Sequence, residues 1–333
     1  MKVLQIANYV DGVGGISVQV KALTNKLLGE SIDCTIFSTK GHVIKRILAP
    51  LRLLNVGRDY DIYHIHACSA KGFFPAVIGI TIGKILKKKI ILTYHGGGAE
   101  SFFNSHKKFV KFFLTLTDHN IVLSGFLAEI FSDNGIPCSI IPNIIEPPES
   151  KVQKDKKIEP NFICIRSFTE TYNIKCLLKA FIKVKKEFPE AKLKLLGDGP
   201  LRLELESFVD NSGVKDVTFE GQVDNGEISK YLREASIMVS PSNFDNMPVS
   251  ILEGMKAGNL IIASNVGGIP YMIKDGRNGL LFTPDNDNEL ARKMIWALYN
   301  NEESISIINN SFEDLKKYSW NEIKKDLFFL YNN

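Results

Sequence analysis

Phe244-Asp245-Asn246-Met247-Pro248-Val249-Ser250-Ile251-Leu252-Glu253, then Leu260-Ile261-Ile262-Ala263-Ser264, then Gly267-Gly268-Ile269-Pro270, reads as a helix start, a short buried strand and a glycine turn. Pro248 suits the first helical position, where its missing N–H costs nothing. The apolar run is short enough for a strand and is bounded by turn residues. Helix, buried strand and turn in this order make the repeating unit of a parallel α/β sheet.

The same rhythm extends in both directions. Strand-like runs fall at 3–7, 34–38, 62–66, 90–94, 121–123 and 139–142, and again at 162–165, 192–196, 217–219, 237–239, 260–263 and 279–282, each followed by a helical pattern. One sheet of twelve strands would be unusual, so two sets of six predict two Rossmann-like, doubly wound domains. Glu146-Pro147-Pro148-Glu149-Ser150 and the charged stretch through Lys157 read as a linker. The expected division is 1–148, 158–315 and a C-terminal helix at 316–333 that crosses back to the N-terminal domain. That helix opens on the capping-box pattern Ser319-Trp320-Asn321-Glu322, and Trp320, Ile323, Leu327 and Leu330 recur at helical spacing. In open parallel sheets ligands bind beyond the carboxyl ends of the strands. With two such domains facing one another, the expected site is the cleft between them.

The opening stretch also carries chemistry. Free backbone N–H groups at a helix start make an anion site. Glu253, eight residues after Asp245 and nearly two turns into the helix, can accept hydroxyl hydrogen bonds. A diphosphate beside a ribose diol satisfies both, which points to a sugar nucleotide and a sugar transferase.

The chain has 333 residues and a net charge of +4, unevenly spread. Residues 1–116 hold 16 Lys/Arg against 6 Asp/Glu, 117–150 hold five acids and no base, and 151–333 are nearly balanced. The basic first part suits an anionic substrate or lipid headgroup, or is a solvated helical face. Cys34, Cys68, Cys138, Cys164 and Cys176 are odd in number and lack metal-site spacing, so a reducing cytoplasm is expected rather than a disulfide framework. With an apolar strand-like run beginning at Val3, no signal peptide is expected, and the longest run, 73–82, is too short to span a bilayer.

These residues together resemble the retaining glycosyltransferases of family 4, which have the two-domain GT-B fold. Gly14-Gly15 resembles the family's first glycine loop, Ile141-Pro142-Asn143 its hinge entry, and Arg166 the head of its phosphate clamp. Leu196-Gly197-Asp198-Gly199-Pro200-Leu201 resembles its Gly-Asp-Gly-Pro turn, Asp245 to Glu253 its paired-acid motif, and Gly267 to Pro270 the turn that follows. The chain departs from the pattern twice. Asp245 stands where the family usually has Glu, and Thr171 and Tyr172 stand where the clamp usually has Lys and Gly. Lys175, one turn on, is the cation available to substitute.

The resemblance implies roles. Glu253 would hold the ribose hydroxyls, Asp245 a donor-sugar hydroxyl, and Arg166 the diphosphate as a bidentate partner. Asn246, Met247, Pro248 and Val249 would line sugar and diphosphate through backbone groups. Gly14 and Gly15 would let a ligand approach the backbone closely, although the loop lacks the third glycine of a dinucleotide fingerprint. His95 would stand near the donor sugar and the acceptor. His64 and His66 share a strand face; His64 reads as structural and His66 as a candidate on the acceptor side. Asp59-Tyr60-Asp61 lies at the amino end of a strand, and Asp285-Asn286-Asp287 reads as a helix cap, so no metal and no cofactor beyond the donor is expected. Leaving-group charge would then fall to Arg166 and fixed dipoles.

Two basic segments rich in Leu, Ile and Phe, 42–58 and 106–116, suit a membrane interface or pack on the N-terminal sheet. The expected function is a retaining, metal-independent transfer of a hexose from a nucleotide-diphosphate sugar, UDP-linked before GDP-linked. The expected acceptor is a glycan or polyprenyl-linked glycan in cell-surface polysaccharide synthesis. The protein is expected to be cytoplasmic, at most peripheral on the inner face of the membrane, and to bind no nucleic acid. The alternatives are a catalytically weak nucleotide-sugar-binding subunit, a nucleotide-sugar 2-epimerase, or a phosphorylase, whose cofactor lysine has no evident place.

Overall fold

The computed structural model describes residues 1–12, 14–150 and 157–333. Val13 of the first glycine loop and residues 151–156 of the expected linker lie outside them. The central strands form from short, mostly apolar runs buried on both faces, the environment of a parallel sheet flanked by helices, while edge strands such as Asp33–Ser38 and Val217–Gly221 are partly exposed. In the first half the strands are β1 (Lys2–Ala7), β2 (Asp33–Ser38), β3 (Ile62–Ala67), β4 (Lys89–Tyr94), β5 (His119–Val122) and β6 (Ser139–Ile140). The second half supplies β7 (Asn161–Ile165), β8 (Lys192–Leu196), β9 (Val217–Gly221), β10 (Ile237–Ser240), β11 (Leu260–Ser264) and β12 (Leu280–Phe282).

All pairings between these strands are parallel, in two six-stranded sheets ordered β2-β1-β3-β4-β5-β6 and β12-β11-β10-β7-β8-β9. This is the α/β fold of two doubly wound sheets. Each order reverses once, between β1 and β3 in the first sheet and between β7 and β10 in the second. At such a reversal the flanking connections leave to opposite faces and open a crevice at the carboxyl ends of the strands. Helices begin where short polar side chains take up free N–H groups. Ser124 accepts from Leu127 N–H at 3.4 Å, Asn173 from Cys176 N–H at 3.3 Å and Asn286 from Glu289 N–H at 3.0 Å.

The chain divides into two compact units, Met1–Ile144 with Trp320–Asn333, and Ile145–Ser319. The last helix, Trp320–Asn332, belongs to the first unit. Its Trp320, Ile323, Leu327, Leu330 and Tyr331 join a buried cluster with Val3, Leu27, Ile62, Ile91 and Ile121. Trp320 Nε1–H also donates to Glu30 at 2.8 Å. Burial of each large apolar side chain contributes about 1.5–3 kcal/mol, so this helix is a substantial part of that core.

Candidate functional site

In the second unit, Arg166 is the first residue after β7, and Ser240 closes the neighbouring β10. Parallel pairing of these strands (Ile237 with Phe162, Met238 with Ile163) carries both residues to the same end of the sheet. Arg166 Nη2 donates to Ser240 Oγ at 2.8 Å and pairs with Asp245 Oδ2 at 2.9 Å. Asp245 Oδ2 also lies 3.4 Å from Ser242 Oγ, and its Oδ1 accepts the Asn246 N–H at 2.9 Å. The guanidinium carbon stands 5.3 Å from the centre of the Tyr172 ring. Tyr172, in the clamp's usual glycine place, therefore offers Arg166 an aromatic face. Lys175 pairs with Glu204 at 2.8 Å, so its ammonium already has a carboxylate partner.

Two glycine turns hold this loop. A Cβ on Gly197 would lie 2.0 Å from the Arg166 carbonyl oxygen, and one on Gly199 would lie 2.4 Å from that of Phe168. Backbone can pack on backbone only because these positions lack side chains, and Phe168 N–H reaches Asp198 O at 3.0 Å. In the same way a Cβ on Gly268 would lie 2.4 Å from the Asn246 carbonyl oxygen, while Gly268 N–H donates to Asp245 O at 3.2 Å.

The helix after the loop is Val249–Ala257, and Pro248, at φ −65° and ψ 122°, is its N-cap. This corrects the expected placement of Pro248 by one residue: its extended ψ ends the loop, and the first free N–H groups belong to Val249 and Ser250. Met247 and Asn246 are buried beneath that helix start. Arg166 Nε and Ser250 Oγ are buried with no hydrogen-bond partner among the described residues. Unsatisfied buried donors need an explanation, and here they flank a helix N-terminus. Glu253 sits in the same helix, half-buried and without a hydrogen-bond partner among the described residues. Burial pushes its carboxyl up from 4.5 to about 7, against the opposing pull of Arg166 and Lys256. The arrangement has a cation and free N–H groups for an anion, and an unengaged carboxyl for hydroxyls.

In the first unit a buried polar cluster is built from β1, β3 and β4. His64 and His66, two apart on one face of β3, stack with centroids 4.6 Å apart. His64 is closed off by Tyr331 Oη and Thr93 Oγ1, each at 2.7 Å. His66 bridges Gln5 Oε1 at 2.5 Å and His95 Nε2 at 3.0 Å. Burial lowers all three imidazoles, His64 to about 3 and His95 to about 4, so they are neutral near pH 7. His64, His66, Thr93 and His95 face Gln19 and Asn143 around a cavity of about 40 Å³. Gly14, at φ +80°, caps the helix Gly15–Gly29 after β1, and a Cβ there would meet nothing within 4 Å.

The structure thus brings Arg166, Asp245, Asn246, Met247, Pro248, Val249 and Glu253 together, and places His66 beside His95. Sequence reading missed Ser240, Ser242, Gln5, Thr93 and Tyr331 as their partners. Gln5 alone carried a signal, as a polar residue inside the apolar run Val3-Leu4-Gln5-Ile6-Ala7. Asp61 accepts the Lys2 N–H at 2.8 Å, and Asp287 pairs with Lys183. Among the described residues no three His, Cys, Asp or Glu side chains form a metal-binding group.

The basic segments divide by face. Ala49 and Leu53 are buried, but Val43, Ile44 (71% exposed), Ile47 (69% exposed) and Leu51 are not. Phe102, Phe103, Val110 and Leu114 are buried in the helix Ala99–Leu114, whereas Phe109 and Phe112 are exposed. Among the described residues no helix is long and apolar enough to cross a membrane.

Two doubly wound parallel sheets, one in each unit, make the GT-B fold. Residues 146–314 match the family of glycosyl transferases group 1, and residues 13–148 match glycosyltransferase family 4. The chain belongs to the group 1 glycosyl transferases and is a glycosyltransferase. An uncharacterized glycosyltransferase of Methanocaldococcus jannaschii is 27% identical over 96% of this chain and 95% of its own. The alpha-monoglucosyldiacylglycerol synthase of Streptococcus pneumoniae is 26% identical over 74% of this chain and 61% of its own. Among solved structures, Anabaena HepE in complex with UDP and glucose superposes with a TM-score of 0.79 at 16% identity, over 100% of this chain and 99% of that one.

Proposed function

We propose that this protein is a retaining, metal-independent transferase that moves a hexose from a nucleotide-diphosphate sugar to a hydroxyl of a glycan or lipid-linked acceptor. The observation that carries this reading is the constellation at the β7/β10 reversal: Arg166 held by Ser240 and Asp245, beside a helix N-terminus with the unengaged Glu253 in the same helix. In this reading the diphosphate binds Arg166 and the free N–H groups of the helix start, and Glu253 accepts the ribose hydroxyls. Asn246, Met247, Pro248 and Val249 line the sugar, and Asp245 both orients Arg166 and meets a sugar hydroxyl. Residues 158–315 are assigned the donor and the first unit the acceptor, with Gly14 and Gly15 as donor-binding residues and His95 near both the donor sugar and the acceptor. UDP is the favoured nucleotide because HepE was solved with UDP and glucose. The alpha-glucosyl product in the name of the Streptococcus relative is the anomer that retention at an α-linked donor leaves. Retention would follow a same-face route, in which the leaving β-phosphate takes the proton of the incoming hydroxyl while fixed donors hold its charge. The exposed apolar residues among Lys45, Arg46 and Arg52 suit an anionic membrane surface, where a lipid-linked acceptor would be met.

Saturation-transfer NMR of the purified chain against UDP-, GDP-, ADP- and dTDP-sugars tests the donor site. One nucleotide sugar should bind and should lose binding in Glu253→Ala. A folded chain that binds none of them rules the reading out and favours a partner subunit, which the Thr171 and Asp245 departures support.

A further inference from the structure

Gln5 is fully buried in the middle of β1, and its amide is one link in a chain of hydrogen bonds that ends at His95. The chain begins at an atom that can only accept, the Val20 carbonyl oxygen, to which Thr24 Oγ1 donates at 2.8 Å. The Thr24 side chain also lies beside Cys34, the next member of the cluster. Burial pushes that thiol up to about 11, so it keeps its proton. Cys34 Sγ in turn receives the Gln5 amide N–H at 3.8 Å, a weak link in keeping with sulfur as an acceptor. This leaves Gln5 Oε1 turned toward His66 Nε2, which must then carry the hydrogen.

A neutral imidazole has one N–H and one lone pair, so each link determines the next. With hydrogen on Nε2, His66 presents a lone pair at Nδ1, and the proton in its contact with His95 belongs to His95 Nε2. His95 Nδ1 is then the unprotonated end of the chain, and among the described residues it has no hydrogen-bond partner.

We propose that Gln5 is a positioning residue: it sets the tautomer of His66 and, through it, that of His95, so that His95 presents Nδ1 as a hydrogen-bond acceptor to a ligand hydroxyl. This rests on the transferase reading only for identifying that hydroxyl as one on the sugar or the acceptor. Were the Gln5 amide turned over, the links from Gln5 through His66 to His95 would reverse and His95 would offer a donor instead.

The test is long-range 1H–15N correlation on the full chain labelled with 15N-histidine, at pH 7.5. His66 and His95 should both show a protonated Nε2 and an unprotonated Nδ1. Gln5→Met removes the anchoring oxygen at nearly constant volume and should shift both rings toward a mixture of tautomers. Tyr331→Phe, which removes a partner of His64 and none of this chain, should leave His95 unchanged. A protonated His95 Nδ1 in the unaltered protein overturns the proposal, even if the Gln5 variant fails to fold. So does a folded Gln5→Met variant with unchanged tautomers, or an equal shift of His95 in Tyr331→Phe. Failure to bind any nucleotide sugar with the tautomer pattern intact would count against the transferase reading and not against this chain of bonds.

Discussion

Glu253 is a carboxylate whose surroundings oppose its charge, and its chemistry is therefore pH-dependent near neutrality. Its folded-state value of about 7 lies above the ordinary 4.5, so the folded protein binds a proton that the unfolded chain does not. The stabilisation from that proton is complete below about 4.5 and is lost as pH rises to about 7. Thermal melts of the free protein should show this loss, and Glu253→Gln should flatten it. Hydroxyl donors favour the carboxylate, so donor binding should release a proton and weaken as pH falls below 7, by up to about tenfold per unit. Titration calorimetry at pH 6 in two buffers of different ionisation enthalpy measures that release, which the Gln variant should abolish. Arg166→Ala removes charge-assisted contacts contributing about 1.5–3 kcal/mol. Donor affinity should fall roughly 10- to 100-fold in a binding titration, and an unchanged affinity would remove Arg166 from the phosphate role.

At the scale of elements, glycine turns place these side chains. Gly197→Ala would drive a Cβ into the Arg166 carbonyl at a φ of +142°, and Gly268→Ala would drive one into Asn246. Each should cost about 2–3 kcal/mol in denaturant unfolding and weaken donor binding beyond what stability accounts for. Gly14→Ala meets only open space, so its cost should come from the backbone alone, about 1–3 kcal/mol for a side chain held at φ +80° and ψ 148°. All twelve strand-like runs appear as strands, because buried parallel strands are continuous apolar runs and local pattern suffices to find them. Helix starts were less legible. Pro248 is a cap rather than the first helical residue, and in Asp285-Asn286-Asp287 the amide of Asn286 does the capping, since either side-chain type can fill that role.

At the scale of the whole molecule, the chain leaves its first unit after Ile144 and returns at Trp320. The returning helix lends Tyr331 to His64 and Trp320 to the core, so Trp320→Ala should destabilise the first unit by about 3–5 kcal/mol in chemical denaturation. The exposed apolar residues on the basic segments lead to a separate expectation. The chain should sediment with vesicles rich in anionic phospholipid, and Ile47→Glu with Leu51→Glu should release it without changing its melting temperature.

Sequence alone determined the two sets of six strands, the glycine turns, and the clustering of Asp245 to Glu253, because each is written in neighbouring residues. Strand order and the partners it creates were decided only in the tertiary structure. Ser240 meets Arg166 because β10 pairs with β7 across more than seventy residues, and Gln5 meets His66 because β1 pairs with β3. Parallel pairing joins segments that are distant in the chain, and no local pattern of hydrophobicity records which strand will lie beside which.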